Sequence, residues 1–583
     1  MAGAIMANVE AIKKESQQLR GTLREALMSD AATLSESDHQ LIKFHGAYEE
    51  DDRDQRVERR KQKLDRFYMF MVRSRIPGGR MTSKQYLMHD GVAEKYGDKT
   101  LRITSRQGIQ FHFVMKGDLK ECIAEINRSG LTTWGACGDV VRNVMASPLP
   151  LDSPAYRDIQ ALSEDLKDVF SAKSHAYSEI WLDDEKLDLG NEPQEDDIYG
   201  DVYLPRKFKI GIAVPPRNDV DLYSQDIGLV PHVEENKVLG YTFIVGGGMG
   251  MSHGKKNTYP VLGKPIFYVS REHVVEVCKA IVTAQRDFGN REDRKRARMK
   301  YLIEERGIGW LRSEVRSRLD EQIELSEPEE VVWRTVSDML GWHEQGDGKL
   351  FLSVWVPEGR IHDAEQVKYR SGFREIAERF NLPIRLTPNC NIIFHDIDPA
   401  NKEEIESILE KYEIPHANSL TETRKMGMAC VALPTCGLAL AESERVFQDL
   451  MCKIDAYLYE FHLQDEPILI RMTGCPNGCA RPYNADISFV GKSPGKYVVY
   501  VGGSHRGDRL AGLEKKMVSL EEIPYLVRGY LEEFAENRFV GESFSDYWGR
   551  THPLGDRPHP DQFHEEPAKR EAAPQLYSIG RMR

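Results

Sequence analysis

The chain has 583 residues, of which 40 % are hydrophobic, so it is long enough for about three or four packed domains. Its 79 Lys and Arg against 92 Asp and Glu give a net charge of −13, which excludes the basic footprint of a nucleic-acid-binding protein. Nine cysteines in so long a chain indicate a reducing compartment. The first residues form no export signal, and the most apolar window, 426–441, is too short to cross a membrane. We therefore expect a cytoplasmic protein.

The two ends of the chain are predicted to lie outside the folded repeats. Residues 1–60 are expected to form an N-terminal arm, in which apolar side chains at helical spacing are followed by the charged run EEDDRDQRVERRKQK. Residues 556–583 are rich in Pro, His and charge, which is typical of a disordered tail.

Two stretches of the chain repeat each other. LRITSRQGIQFH (101–112) matches IRLTPNCNIIFH (384–395) at Arg, Thr, Ile, Phe and His. Upstream, IPGGRM (76–81) matches VPEGRI (356–361) in the same order. Each unit predicts a strand, a Pro-x-Gly turn, a helix and further strands. Duplication within the chain is the simplest explanation.

A second, weaker pair of stretches follows the first. Residues 204–248 and 468–503 both predict a strand, a polar loop, a strand and a strand that ends in glycines. The order is therefore A–B–A′–B′. The expected units are repeat A at 61–130, lobe B at 131–335, repeat A′ at 336–412 and lobe B′ at 413–555.

Four cysteines stand in two tight pairs in lobe B′. Cys430 and Cys436 are spaced C-x5-C, and Cys475 and Cys479 are spaced C-x3-C in TGCPNGC. Neither pair has the C-x2-C spacing of zinc sites, and no His falls between the cysteines of either pair. Glycines beside them let the backbone approach a cluster closely. Four thiolates from two loops predict one [4Fe–4S] cluster, and the other five cysteines are predicted to be core residues.

Cationic side chains interrupt several apolar predicted strands, namely Arg73, Arg75, Arg102, Arg106, Arg142, Arg206, Lys207 and Lys209. Lys207 and Lys209 are two apart, so both are expected on one face of a strand. Because buried cations need anions, the set predicts a polyanionic cofactor, an oxyanion substrate, or both. Ordinary ion pairs with the many carboxylates are the alternative for any single residue.

Two other segments carry weaker signals. The charge-rich residues 285–307 are expected to form a solvated helix face. The glycine-rich residues 244–256 match neither the Walker A motif nor G-x-G-x-x-G, so a tight turn at a strand end is expected, with a generic phosphate loop as the alternative.

Over about residues 15–548 the chain resembles the siroheme-dependent sulfite and nitrite reductases. The motifs that carry the resemblance are the C-x5-C and TGCPNGC pairs, FHGAYEEDDRDQR, RSRIPGG, YLPRKFK and the duplication. The resemblance implies an α+β fold with a pseudo-twofold axis. Repeats A and A′ would form a ferredoxin-like pair, and B and B′ would be α/β lobes that hold siroheme and the iron–sulfur cluster.

The resemblance also implies roles for individual residues. The [4Fe–4S] cluster would be held by Cys430, Cys436, Cys475 and Cys479, and Cys479 would also bridge to the siroheme iron. The substrate-facing cations would be Arg73, Arg142, Lys207 and Lys209. The partners of the siroheme carboxylates would be Arg75, Arg102 and Arg106.

The implied activity is that of an assimilatory sulfite reductase, an enzyme that reduces sulfite to sulfide with six electrons. The chain has no FAD, FMN or NADPH motif, so a flavoprotein subunit that oxidises NADPH is the expected electron donor. Lys209 favours sulfite because the related nitrite reductases carry Asn there. A ferredoxin-dependent sulfite or nitrite reductase is the alternative enzyme. An iron–sulfur electron carrier or scaffold is the non-enzyme alternative, and it would not need the Arg and Lys residues. Cys390 stands where the family carries Gln, so cofactor support in A′ is expected to differ.

Overall fold

The computed structural model describes residues 2–173 and 196–553, with the short pieces 181–182, 185–186 and 563–564. The predicted C-terminal tail therefore lies outside the described residues, except for 563–564. Among the helices of the described part, none has the length and apolar character needed to span a membrane.

The described chain alternates short strands with helices. The helices are α1 (Ala2–Glu15), α2 (Leu23–Met28), α3 (Glu36–Leu41), α4 (Arg56–Lys61), α5 (Ser83–Tyr96), α6 (Leu119–Arg128), α7 (Pro154–Val169), α8 (Val274–Phe288), α9 (Met299–Arg306), α10 (Ile308–Ser317), α11 (Tyr369–Phe380), α12 (Lys402–Lys411), α13 (Glu422–Met426), α14 (Glu444–Glu460), α15 (Ile523–Asn537) and α16 (Phe544–Thr551). The strands are β1 (Ala47–Asp51), β2 (Tyr68–Arg73), β3 (Arg80–Met81), β4 (Leu101–Ile103), β5 (Ile109–Val114), β6 (Met145–Ala146), β7 (Trp181–Leu182), β8 (Glu185–Lys186), β9 (Ile210–Ile212), β10 (Ile227–Glu234), β11 (Lys237–Val245), β12 (Lys264–Ser270), β13 (Gly341–Glu344), β14 (Leu350–Val354), β15 (Arg360–Ile361), β16 (Ile384–Leu386), β17 (Ile392–Ile397), β18 (Met428–Ala429), β19 (Ile470–Thr473), β20 (Ile487–Ser493), β21 (Lys496–Val501) and β22 (Gly512–Ser519).

Repeats A and A′ form two sheets of the same topology that exchange a strand. The strand orders are β1-β2-β5-β4-β15 and β13-β14-β17-β16-β3. Strand β15 of A′ pairs antiparallel with β4, with Arg360 opposite Arg102. Strand β3 of A pairs in the same way with β16, with Arg80 opposite Arg385. Because each sheet ends in a strand of the other repeat, the two repeats fold as one pseudo-symmetric pair, as predicted.

Lobes B and B′ also share one topology. In B, β6, β9 and β10 are parallel, and β11 and β12 follow antiparallel. In B′, β18, β19 and β20 are parallel, and β21 and β22 follow antiparallel. Asp221 and Arg481 take the same left-handed backbone conformation before equivalent short turns. The duplicated architecture is therefore confirmed, while the predicted domain boundaries stay a prediction.

The N-terminal segment is part of the first sheet, so the prediction of a separate arm is wrong. Strand β1 pairs with β2 from Ala47 opposite Val72 to Asp51 opposite Tyr68. Leu19 is buried in the core that runs through A, B and A′. The charged sequence of β1, AYEED, does not resemble a buried strand, because an edge strand can expose polar side chains on one face.

Lobe B′ has a core of its own. Its strands β19, β20 and β21 pack against helices α14, α15 and α16. This separate core supports the two loops that carry the cysteine pairs.

Candidate active site

The four predicted cluster ligands follow two neighbouring parallel strands. Cys430 comes directly after β18, and Cys475 follows β19. Because β18 and β19 run parallel, these loops leave the same edge of the sheet. The N–H of Gly474 donates to Sγ of Cys430 at 3.3 Å. The carbonyl of Gly474 accepts the N–H groups of Leu440 and Ala441 at 2.8 and 3.1 Å, so the two loops are joined by their backbones.

The four thiols lie within electrostatic reach of one another. Burial and the neighbouring Cys479 raise the pKa of Cys430 to about 11 and that of Cys436 to about 12. The same two causes raise the pKa of Cys475. Among the described residues, no three His, Cys, Asp or Glu side chains converge as a single-ion site requires. A cube suits thiols that are grouped but apart, because each of its irons takes its own thiolate.

The loop of Cys479 is fixed by a buried ion network between the two lobes. Arg481, two residues after Cys479, pairs with Asp221 of lobe B at 2.5 Å, and Arg471 pairs with the same carboxylate at 2.8 Å. Asn484 donates to Asp221 at 2.9 Å. Although burial opposes it, the two arginines lower the pKa of Asp221. Removing one partner of such a network would leave a buried charge unpaired.

The glycine-rich segment packs on the cysteine loop. The N–H of Met251 donates to the carbonyl of Pro476 at 2.9 Å. A Cβ on Gly250 would lie 3.1 Å from the carbonyl oxygen of Asn477, so a side chain there would crowd the loop. Residues 246–252, directly after β11, are irregular, with a bridge from Gly248 to Val261, and Gly250 and Met251 lie against the loop between Cys475 and Cys479.

Two of the predicted substrate-facing cations, Arg73 and Lys207, lie near Cys479, and Arg142 and Lys209 lie near Lys207. Cys479 raises the pKa of both Arg73 and Lys207 through its charge, although burial lowers both. The N–H of Arg142 donates to the carbonyl of Phe208 at 2.9 Å, which places Arg142 beside the two lysines on either side of Phe208. The structure thus brings this predicted set together in one place. Lys207 and Lys209 lie in the extended segment that leads into β9, not in the strand itself.

Lys207 and Lys209 share one cationic space with Arg298. Both side chains are half-buried. Burial, together with Arg206, lowers the pKa of Lys207 to about 7, and burial with Lys207 holds the pKa of Lys209 well below its ordinary value. Both ammonium groups lack an acceptor among the described residues. An anion in this space would supply the missing partner.

The three predicted carboxylate partners differ in their placement. Arg106 donates to Gln225 at 2.8 Å and to the carbonyl of Asn143 at 2.6 Å, and its Nε has no acceptor among the described residues. Arg75 donates to Ser171 at 3.1 Å, and its Nε and Nη2 have no acceptor there. Arg75 and Arg106 therefore each have N–H groups that could donate to a carboxylate of a cofactor.

Arg102 is more fully bonded within the protein than Arg75 or Arg106. Its Nε pairs with Glu444 at 3.1 Å, and its Nη1 and Nη2 donate to the carbonyls of Ile103 and Ala429 at 2.8 and 2.9 Å. These bonds engage three of the five N–H donors of the guanidinium, so a role of Arg102 toward a siroheme carboxylate stays a prediction. The contact with Glu444 could not be predicted from the local sequence, because Glu444 lies 342 positions away from Arg102.

Two cations of the site were missed in the segment predicted to be a solvated helix face. Arg298 is 8 % exposed and pairs with Asp226 at 2.8 Å. Lys300 is 2 % exposed and donates to the carbonyl of Gly248 at 3.0 Å. Arg298 lies near enough to lower the pKa of Lys207. Their signal in the sequence was the apolar residues between and around them, in ARMKYL.

Cys137 was also missed, since it was predicted to be core. Nη1 of Arg73 donates to its Sγ at 3.2 Å, and Tyr48 reaches the same thiol. Cys137 and Tyr48 therefore help to fix the guanidinium of Arg73. No local pattern links these three residues.

The residues present fit both groups that the sequence implied. Four grouped thiols fit a [4Fe–4S] cluster. The unsatisfied nitrogens of Arg73, Arg75 and Arg106, with the two half-buried lysines, fit a cofactor with several carboxylates. Fold and site together define a redox protein that holds a cluster beside an anionic cofactor.

Comparison with known proteins gives the family. A model described as the nitrite and sulphite reductase 4Fe-4S domain matches residues 161–323. A model described as the nitrite/sulfite reductase ferredoxin-like half domain matches residues 61–129 and 343–412. The chain belongs to the nitrite and sulfite reductase family. The 4Fe-4S model matches lobe B, whereas the four thiols lie in its duplicate B′.

Similar proteins cover nearly the whole chain. The hemoprotein beta-component of NADPH sulfite reductase from Staphylococcus haemolyticus is 45 % identical over 540 residues, which are 92 % of this chain and 94 % of that protein. The protein of the same description from Geobacillus kaustophilus is 45 % identical over 545 residues, or 93 % and 95 %. The structure of Mycobacterium tuberculosis NirA superposes with a TM-score of 0.74 at 23 % identity, over 93 % of this chain and 96 % of that one, and shows the same fold.

Proposed function

We propose that the chain is the catalytic subunit of an assimilatory sulfite reductase of the cytoplasm. It would reduce sulfite to hydrosulfide and three waters with six electrons and seven protons. The observation that carries the proposal is that Arg73 and Lys207 lie near Cys479 and its three partner thiols, with Arg142 and Lys209 beside Lys207. Relatives described as NADPH sulfite reductase hemoproteins support it.

The cofactors have identifiable protein partners. Cys430, Cys436, Cys475 and Cys479 would hold a [4Fe–4S] cluster, and Arg75 and Arg106 would pair with carboxylates of siroheme. When bound, the two groups supply the electrons for the reduction. The chain's own residues must then bind the oxyanion and deliver protons.

The cationic side chains suit both tasks. Sulfite is a dianion with three oxygens, so it can accept charge-assisted hydrogen bonds from several cations at once. The guanidinium groups of Arg73 and Arg142 present fixed forks of N–H donors and would orient the oxyanion. Lys207, with a pKa of about 7, can give up a proton near neutral pH, which suits a general acid for S–O cleavage.

Electrons would enter through the loop of Cys436. Leu438, two residues later, is 67 % exposed, and Cys436 itself is half-buried. Arg53 donates to the carbonyls of Cys436 and Ala439 at 3.1 and 2.6 Å, so the N-terminal segment frames this loop. An exposed apolar side chain beside the cluster fits the docking of a donor. We propose an NADPH-oxidising flavoprotein as that donor.

A steady-state assay tests the proposal. The purified holoenzyme is given sulfite or nitrite, with either reduced methyl viologen or a flavoprotein reductase as donor. We expect a higher kcat/KM for sulfite, with sulfide as the product. A higher kcat/KM for nitrite would assign the chain to nitrite reduction. A protein that holds iron but reduces neither anion would be an electron carrier or a scaffold.

A further inference from the structure

One side-chain amide of repeat A ties three segments together. Gln107 lies after β4 in a left-handed conformation, with φ of 56°. Its Nε2 donates to the carbonyls of Gly78, Ala146 and Leu386 at 3.1, 2.9 and 2.9 Å. Its Oε1 accepts the N–H of Ala146 at 3.0 Å. The amide therefore joins the Pro-x-Gly turn, lobe B and repeat A′.

Cys390 occupies the equivalent position in repeat A′. It follows β16 with φ of 70° and is 1 % exposed. A Cβ on Gly359 would meet Cβ of Cys390 at 2.8 Å and the carbonyl of Ile103 at 2.6 Å. In repeat A, a Cβ on the equivalent Gly79 would likewise meet the side chain of Gln107 and a backbone carbonyl. A thiol is a short, weak donor, so Cys390 cannot replace the amide.

Arg102 fills the space that the missing amide leaves. Its Nη1 and Nη2 donate to the carbonyls of Ile103 and Ala429 at 2.8 and 2.9 Å. Because the two halves are duplicates, the carbonyls of Ile103 and Ala429 are the counterparts of those of Leu386 and Ala146, which accept the amide of Gln107 in the other half. Ala429 is the residue before Cys430, so the guanidinium holds the backbone that enters the cluster ligand.

Glu444 completes the arrangement from the other side. Its N–H donates to the carbonyl of Cys430 at 3.0 Å. Its carboxylate accepts Arg102 at 3.1 Å and Arg360 at 2.7 Å. Two guanidinium groups against one carboxylate leave a net positive charge beside Cys430. In the other half, Arg385 donates to the backbone carbonyls of Pro148 and Leu149, and among the described residues no carboxylate forms an ion pair with it.

We propose that Arg102, held by Glu444, is a positioning residue for Cys430 and a source of positive charge that favours the reduced cluster. A reduced cluster carries one more negative charge than the oxidised one, so a nearby cation stabilises it. The small side chain of Cys390 makes room for the guanidinium. The inference rests on the proposed function only in requiring a [4Fe–4S] cluster on the four thiols.

The test measures the reduction potential of the cluster in the holoenzyme by redox titration followed by electron paramagnetic resonance. Arg102→Met removes the charge and keeps much of the side-chain volume. We expect the equilibrium to shift about tenfold toward the oxidised cluster, which lowers the midpoint potential by about 59 mV for one electron. Iron and acid-labile sulfide are measured on each variant to establish the cluster content.

Three matched variants separate charge from support. Arg385→Met, in the other half of the duplication, and Cys390→Ser should leave the potential unchanged. Arg102→Lys keeps the charge but cannot hold both carbonyls, so its potential should stay near that of the wild type while a chelator removes its iron faster.

The outcomes are distinct. An iron-replete Arg102→Met variant with the wild-type potential would overturn the proposal, as would an equal shift in Arg385→Met. If Arg102→Met loads no cluster, Arg102→Lys decides: faster loss of iron supports the positioning role, and a wild-type rate of loss overturns it. A wild-type protein without iron would instead overturn the proposed function itself.

Discussion

The replacement Lys209→Asn tests how the site selects its substrate. The ammonium of Lys209 lies among Lys207, Arg106 and Arg298, and Asp226 already accepts the backbone N–H of Lys209 at 2.9 Å. The ammonium has no hydrogen-bond acceptor among the described residues, so a bound anion would be its hydrogen-bond partner. Asn keeps a hydrogen-bond donor of smaller size and removes the charge.

The expected magnitude follows from the charge of each substrate. Losing one charge-assisted contact costs about 1.5–3 kcal/mol, so kcat/KM for sulfite should fall about ten- to a hundredfold. Nitrite carries half the charge of sulfite, so the free energy lost with nitrite is about half as large. The kcat/KM for nitrite should therefore fall about three- to tenfold. The ratio of sulfite to nitrite activity should therefore shift about three- to tenfold toward nitrite.

The assay compares both substrates with reduced methyl viologen as donor, and the visible spectrum and iron content confirm the cofactors. Lys237→Asn, on the exposed start of β11, is the matched control and should leave both activities unchanged. An unchanged ratio with native spectra would refute the role of Lys209. Loss of siroheme would show that Lys209 pairs with a cofactor carboxylate instead.

Three further predictions follow from the placement of particular segments. Cys475→Ser should lose most of the iron and acid-labile sulfide, whereas Cys278→Ser, a buried cysteine of lobe B, should keep both; full iron content in Cys475→Ser would remove Cys475 from the ligand set. Deletion of residues 1–55 removes β1 and the contact of Arg53 with the Cys436 loop, so thermal stability and activity with both donors should fall. Full viologen-driven activity in the deletion variant would show that the segment is dispensable for the fold. Leu438→Glu should slow flavoprotein-driven reduction about tenfold and leave viologen-driven reduction unchanged; equal losses would exclude this loop as the docking surface.

Much of the fold could be predicted from the chain alone because the duplication leaves a local record. The matching segments around Arg102 and Arg385 predicted two equivalent units, and these two residues lie at equivalent positions in β4 and β16. The exchange of β3 and β15 between sheets was not visible. Strands of two residues carry no periodicity, and their partners are chosen by the packing of the two repeats.

The sequence by itself determined the kind of site. Two tight cysteine pairs and cations placed among apolar residues are local signals, and they pointed to a cluster beside an anion site because thiolates and buried charges each need a specific partner. Only the tertiary structure decided which side chains each cation contacts. Arg102 bonds to Glu444, Arg298 is buried beside Lys207, and Cys137 contacts Arg73. These contacts join residues far apart in the chain, so they depend on how the repeats and lobes pack and leave no pattern in the local sequence.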